Sequence, residues 1–268
     1  MAQLDNVVVL LTGASRGIGP RLGEALAMRG AILALTARSR AGLEATAKRM
    51  QELGADAAVF PADLGVSSQR EDLVSKVIGK YGRIDVLINN AGVETEGAYV
   101  DLPWSSVIEN IEVNLVAPMA LTHRILPEMI KRRAGHIINI ASIAAKSGAP
   151  FSATYSGAKA ALAEWTQALR LELRGTGVRF STIFPGYVQE VGMFAKFGLK
   201  PPFLVGSCVP SQVVKAVLGA IEKGRLETIV NSRPLRYAFI ISELSPSLGD
   251  WLLRVSGVVE FQRRKVGK

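Results

Sequence analysis

Short β-branched apolar runs alternate with longer amphipathic segments from the start of the chain to about residue 232. The runs fall at 7–12, 32–36, 57–60, 86–89, 136–141, 179–184 and 228–230. They show no in-and-out alternation, which is the pattern of parallel strands covered on both faces. The segments between them, at 20–29, 42–53, 68–81, 104–131, 155–174 and 211–223, repeat apolar residues at helical spacing. Five are followed by glycine, at Gly30, Gly54, Gly82, Gly175 and Gly224, the residue best suited to end a helix. Strand–helix–strand units with right-handed crossovers build a doubly wound sheet. No internal repeat, low-complexity linker or composition break divides the pattern, so an α/β protein of one domain is expected.

After residue 232 the strand signal stops. Tyr237, Ile240, Ile241 and Leu244 recur at helical spacing. Beyond Ser245 and Pro246, a helix cap followed by proline at the first helical position, Leu248, Trp251, Leu252, Val255 and Val259 continue as a second helix. The chain closes on Arg263, Arg264, Lys265 and Lys268. These 36 residues at 233–268 read as a helical appendage to the core at 1–232.

Composition removes several classes of function. Of 268 residues, 49% are hydrophobic and 21% charged, which suits a folded globule and not disorder or a coiled coil. One cysteine, Cys208, and two histidines, His123 and His136, allow neither a disulfide framework nor a Cys/His zinc cluster, so no metal is expected. The start of the chain lacks a basic segment, and its apolar run ends at Thr12-Gly13. With no run long enough to cross a membrane, a cytoplasmic protein beginning near Met1 is expected. The net charge of +9 calls for an anionic partner: nucleic acid, a phosphorylated ligand or an acidic membrane surface. Seven basic residues against three acidic ones place nearly half of that excess in the tail.

Chemistry enters after the first strand, with Thr12-Gly13-Ala14-Ser15-Arg16-Gly17-Ile18-Gly19. Glycines between a strand and a helix let the backbone approach a pyrophosphate, whose charge the helix N-terminus stabilises. Alone, the motif is equally a tight turn. Taken in order with Asn89-Asn90-Ala91-Gly92, Asn114, Ser142 and Tyr155-Ser156-Gly157-Ala158-Lys159, it resembles the short-chain dehydrogenase/reductase family over about residues 5–232. The resemblance implies a Rossmann-type doubly wound sheet of seven parallel strands, with cofactor and substrate at the strands' C-terminal ends. Cofactor contacts would come from Gly13, Ser15, Arg16, Gly17, Ile18 and Gly19, from Asp63 and Leu64 at the adenine, and from Asn90, Ala91 and Gly92. Tyr155, Lys159, Pro185, Gly186 and Val188 would complete them. Ser142, Tyr155, Lys159 and Asn114 would be catalytic, Asn114 by holding a water of the proton relay.

Charge argues for the cofactor. No acidic residue lies between Glu24 and Glu44, where an NAD site would place one on the ribose. Arg38 ends the second strand and Arg16 lies in the glycine turn, two positions where, by the resemblance, family members use basic residues to hold a 2′-phosphate. NADP(H) is therefore favoured over NAD(H), and Arg40 reads as a solvated charge. Residues four apart share a helix face, so Lys159 can lie beneath the Tyr155 phenol. Bringing a phenol from its usual pKa near 10 to neutrality takes a shift of about 3 units, roughly 4 kcal/mol. Lys159 and an oxidised nicotinamide would both favour the phenolate. Without the other motifs the pair would be a helix-surface coincidence, and Ser142 a strand-end cap. His123, His136 and Cys208 have no partner motif and read as structural.

One position departs from the resemblance. Glu190, four residues beyond Gly186, stands where the family has a threonine on the nicotinamide carboxamide. A looser cofactor hold or a rearranged loop is expected there, with the backbone contact at Val188 retained. The apolar stretch 193–208 falls where the resemblance places a substrate lid, which suits a hydrophobic carbonyl or a lid packed on its own core. The tail's apolar faces would meet a neighbouring subunit or an anionic membrane interface. The expected activity is hydride transfer between nicotinamide and a carbonyl or secondary alcohol, as a ketoreductase on a hydrophobic substrate. A catalytically silent dinucleotide-binding regulator is the alternative, against which the intact Ser142, Tyr155 and Lys159 stand. Nucleic acid is set aside for want of a basic–aromatic motif. The resemblance also implies a homo-oligomer, dimer or tetramer, through helices around 116–131 and 152–174.

Overall fold

The computed structural model describes residues 3–267. Seven strands alternate with helices: β1 (Val8–Thr12), α1 (Ile18–Ala27), β2 (Ile32–Thr36), α2 (Arg40–Glu52), β3 (Ala57–Val59), α3 (Ser67–Tyr81) and β4 (Val86–Asn89) form the first half. The second half runs α4 (Trp104–Ile111), α5 (Ala117–Lys131), β5 (Gly135–Ile140), α6 (Ala153–Glu172), β6 (Val178–Pro185), α7 (Pro210–Lys223) and β7 (Glu227–Val230). All pairings are parallel, in the order β3-β2-β1-β4-β5-β6-β7. This is the doubly wound Rossmann-type sheet. The order reverses between β1 and β4, and ligands bind such sheets at the strand ends beside that switch point.

The uninterrupted apolar runs have their reason in the two faces. Val9, Leu11, Leu33 and Leu35 point to one side, with Leu22 and Leu26 of α1 and Val213 and Val217 of α7. Leu10, Ala34, Leu87 and Ile137 point to the other, with Leu73 and Val77 of α3 and Leu121 and Ile125 of α5. Each fully buried leucine contributes about 1.5–3 kcal/mol, and both sides of every central strand are used. Several buried polar side chains pair with one another across the elements. Asn89 Nδ2 donates to Asn139 Oδ1 (2.7 Å), and Asn139 Nδ2 to Thr166 Oγ1 (2.8 Å), tying β4 and β5 to α6. Ser181 Oγ donates to the Arg225 carbonyl (2.7 Å), so the His136 Nε2 beside it (2.9 Å) is the donor of their contact. Burial holds His136 down to about 3 and therefore neutral.

Two expected helices are divided. Between α4 and α5 the chain winds one wider π turn, Glu112–Val116. Pro118, at the second position of α5, has no N–H to return to Asn114, and such wide turns often sit at functional residues. In the tail, α8 (Arg236–Leu244) and α9 (Pro246–Val255) are followed by Gly257 in the left-handed region (φ 78°) and a third helix, α10 (Val258–Lys265). Gly249 lets α9 close on α8, since a Cβ there would stand 2.8 Å from that of Ser242. Val258 and Phe261 anchor α10 in the interior.

Candidate active site

At the switch point the strand ends are stitched by one hydroxyl. Thr12 Oγ1 donates to the Ile88 carbonyl (3.2 Å) and accepts from the amides of Asn90 and Ala91, each at 2.9 Å. Asn90 Nδ2 returns to the carbonyls of Thr12 and Gly13 (2.9 and 3.2 Å). The turn that follows needs its glycines. Gly13 (φ 65°) and Gly17 (φ 67°) adopt backbone angles that other residues rarely take. A Cβ on Gly13 would meet the Ala91 backbone, and one on Gly19 would run into the Gly13 carbonyl. Gly17 opens α1 without a side-chain cap, so the first amides of the helix face the turn, an arrangement that suits a pyrophosphate.

Most of the expected site residues meet in one cavity of about 1120 Å³. It is lined by Gly13, Ser15, Arg16, Gly17 and Ile18, by Arg38, Asp63 and Leu64, and by Asn90, Ala91 and Gly92. Ser142, Tyr155, Lys159, Pro185, Gly186 and Val188 line it as well. Arg16 is exposed at the rim, and Arg38 forms a solvent-exposed pair with Glu109 (3.3 Å). Arg40 pairs with Glu44 on its own helix, at 3.6 Å and open to water. Two expected residues do not line the cavity. Gly19 packs beneath the turn. Asn114 is fully buried in the π turn, where its amide donates to the Val93 and Asn110 carbonyls (2.7 and 2.9 Å) and its Oδ1 accepts from Val93 (3.3 Å).

The reactive groups stand around the end of β5 and the first two turns of α6. Lys159 Nζ donates to the Ile140 carbonyl (2.9 Å) and lies 5.8 Å from the centre of the Tyr155 ring. Burial lowers Lys159 to about 8. Tyr155 is pushed above the usual phenol range, by burial first and then by Glu94 and Glu96, while its hydrogen bond with Ser142 pulls the other way. Ser142 Oγ also accepts from the Ala144 amide (3.1 Å). Glu190 is exposed in the left-handed region (φ 68°) and does not line the cavity. Cys208 is buried, its thiol raised to about 11 by burial, and bridges Val188. Among the described residues, no group of His, Cys, Asp or Glu side chains is placed to hold a metal ion.

The tail contributes what the sequence did not reveal. Leu235 before α8, Ala238, Phe239 and Ser242 on α8, Leu252 and Leu253 on α9, and Gln262 and Lys265 on α10 all line the same cavity. Phe261 joins Tyr187 and Phe194 of the lid in an aromatic cluster, with centroids 4.9–6.0 Å apart. The inner faces of the tail therefore cover the core's own site. Its outer faces stay open, with Tyr237, Leu244 and Trp251 more than half exposed. Glu94, Glu96 and Lys265, which meet at the cavity wall, were not singled out from sequence. No motif links positions 171 residues apart.

A model of the family described as short chain dehydrogenase matches residues 7–201. The chain belongs to the short-chain dehydrogenase family. It is thus an oxidoreductase acting on CH–OH or ketone groups. It is 39% identical to the ketoacyl reductase HetN of Nostoc sp., with 99% of this chain and 94% of that protein aligned. A putative ketoacyl reductase of Streptomyces coelicolor is 36% identical over 70% of this chain and 73% of its own. Among solved structures, a single-site variant of actinorhodin polyketide ketoreductase with NADPH superposes with a TM-score of 0.77 at 31% identity, covering 85% of this chain and 97% of that one. A metagenomic short-chain oxidoreductase in complex with NADP gives 0.73 at 32% identity, covering 86% and 98%. This short-chain dehydrogenase carries the glycine turn and the reactive cluster in one cavity.

Proposed function

We propose that this short-chain dehydrogenase is an NADPH-dependent ketoreductase acting on a carbonyl that bears a large apolar substituent. The observation that carries the reading is the convergence of Ser142, Tyr155 and Lys159 on a cavity that runs from the glycine turn to the apolar inner faces of the tail. The glycine turn and the amides of α1 fit the pyrophosphate, and Arg16 and Arg38 a 2′-phosphate, with Glu109 giving up its pair to Arg38. Bound there, the dihydronicotinamide supplies a hydride to the carbonyl carbon. Ser142 orients the carbonyl oxygen. Tyr155 gives that oxygen its phenolic proton as the C–O bond becomes an alcohol. Contrary to the lowering expected from sequence, burial and the two glutamates raise the phenol, which keeps the proton on the oxygen in the resting site. Lys159 limits the cost of the phenolate left behind, before water returns the proton. Asn114, enclosed as it is, acts by fixing Val93 at the cavity wall.

Preference for NADPH over NADH rests on the two arginines and on the absence of an acid at the end of β2. Neither relatives nor geometry favour the silent regulator. The test is consumption of NADPH and of NADH with a panel of ketones of increasing chain length, for wild type and Tyr155→Phe. Turnover by the wild type that the phenylalanine variant lacks supports the reading. Equal turnover by both contradicts it.

The remaining readings concern partners and place. Residues 1–232 serve as the dinucleotide-binding and catalytic unit and 233–268 as an extension that completes its substrate side. Exposed Trp104 and Ile108 beside α5 and α6 suit a homo-oligomer, which light scattering tests. The exposed apolar residues of α8 and α9, with the basic Arg263 and Arg264 on the neighbouring α10, suit peripheral contact with an anionic membrane surface. Flotation with anionic vesicles tests that. No helix among the described residues is long and apolar enough to cross a membrane. A cytoplasmic place accords with the single, buried thiol.

A further inference from the structure

Lys265 and the carboxylates of Glu94 and Glu96 form a charged cluster between α10 and the loop that follows β4. The Lys265 side chain is 2% exposed, that of Glu96 7% and that of Glu94 12%. Lys265 Nζ lies 3.2 Å from Glu94 Oε1 and pairs with Glu96 Oε1 as well. Its ammonium also stands 4.8 Å from the centre of the Phe197 ring. Three residues earlier on α10, Gln262 donates to the Tyr187 hydroxyl (3.3 Å). Glu94 Oε1 in turn accepts from Ser152 Oγ (3.2 Å), and Ser152 opens α6 three residues ahead of Tyr155. A continuous polar path thus joins the last helix to the one that carries the phenol.

Such a cluster is a poor device for fixing a helix. Withdrawing ions from water costs several kcal/mol each, and well-packed apolar side chains often hold a structure as well or better. Its place beside the phenol gives it another use. The charged and titratable groups around Tyr155 are Lys159 on its own helix and Glu94 and Glu96 from the loop after β4, with Ser142 on the phenol and Lys265 behind the carboxylates. Negative charge on those carboxylates opposes a negative charge on the phenol oxygen, and the ammonium opposes the carboxylates. Glu96 is raised to about 8, by burial and then by its hydrogen bond and charge contact with Glu94. One ammonium faces the two carboxylates and offsets their negative charge at the cavity wall.

We propose that Lys265 is a positioning residue of this reductase: docked with α10, it neutralises the Glu94–Glu96 pair and so lets Tyr155 exchange the reaction's proton. The proposal rests on the reading of Tyr155 as the acid–base group. It makes the active site complete only when the last helix is in place.

The test uses the full-length protein and follows NADP-dependent alcohol oxidation from neutral to alkaline pH. Lys265→Met is expected to move the rising limb of kcat about one pH unit to the alkaline side, with KM little changed. Adding Glu94→Gln to the same chain removes the unmatched charge while keeping an acceptor for Ser152, and returns the limb to its original position. Tyrosinate absorbance of the protein alone, taken as the difference from Tyr155→Phe, moves in parallel and reports on variants that do not turn over. Should Lys265→Met fail to fold, Glu94→Gln alone is expected to move the limb to the acid side. An unmoved limb and titration, or a shift that Glu94→Gln does not reverse, overturns the role of Lys265. Activity retained by Tyr155→Phe would instead overturn the reading of the phenol, and the proposal with it.

Discussion

The two ends of the active-site cavity are built on different principles. At the glycine-turn end the wall is largely backbone, held by Thr12 and Asn90 and shaped by glycines whose positions leave no room for a Cβ. At the substrate end it is made of side chains, drawn from a lid and from three helices at the far end of the chain. A backbone cradle demands particular residues at particular spacings. A wall of apolar side chains demands only a face of suitable shape, and many sequences supply one. On the proposed function, recognition of the dinucleotide would be rigid, while choice of substrate would change with the tail.

Tyr155→Phe addresses the point where the two ends meet, and it has the largest expected effect. The kcat should fall by about 10²- to 10⁴-fold, the usual worth of a positioned acid, with the protein folded and NADPH still bound by fluorescence titration. Arg38→Ala tests the glycine-turn end alone. Losing one charge-assisted contact at a half-exposed site should raise the KM for NADPH about tenfold and leave that for NADH unchanged. An equal effect on both cofactors would remove the phosphate from the account.

The core and the tail should also answer pH in opposite senses. His136 in the core has its folded pKa lowered from 6.5 to about 3. The unfolded chain therefore binds the extra proton first, and stability present above pH 6.5 is lost as pH falls towards 3, by up to about 1.4 kcal/mol per unit. Denaturant titrations should show this slope flattened in His136→Asn. Glu96 against the tail is raised to about 8, so its contribution is full below its unfolded value of 4.5 and is lost as pH rises through 8. Amide exchange in α10, corrected for its intrinsic pH dependence, should accelerate across that range and slow again in Glu96→Gln. The smallest effect is expected away from both ends of the cavity. Arg40→Ala removes a solvent-exposed pair on α2 and should change stability and both KM values negligibly, within about 0.5 kcal/mol.

The same division explains what could be read from the sequence. The strands were visible because each is covered on both faces and so is apolar throughout. The glycine turn and the Tyr155–Lys159 pair were visible because geometry ties residue type to spacing. The break at Gly257 was not, since Val259 continues the spacing of Leu252 and Val255 and a lone glycine is a weak stop. The π turn at Glu112–Val116 was hidden in one long helical pattern. Lys265 was the hardest to place. It closes a basic run that reads as surface, yet its partners lie 171 and 169 positions earlier, beyond the reach of any local pattern. Half of the picture of the tail was legible for a related reason: its apolar stripes were clear, but periodicity cannot say which surface a stripe covers, and α8, α9 and α10 turn one face inward over the core's cavity while leaving another open.

The claim that the tail builds the substrate end is tested most directly by Leu252→Trp, which fills the cavity from α9 without touching the glycine turn or Tyr155. Measured as kcat/KM with NADPH, reduction of a long-chain ketone should fall at least about tenfold, while that of a short methyl ketone stays within about threefold. Equal losses for both ketones, or no loss for either, would contradict the account.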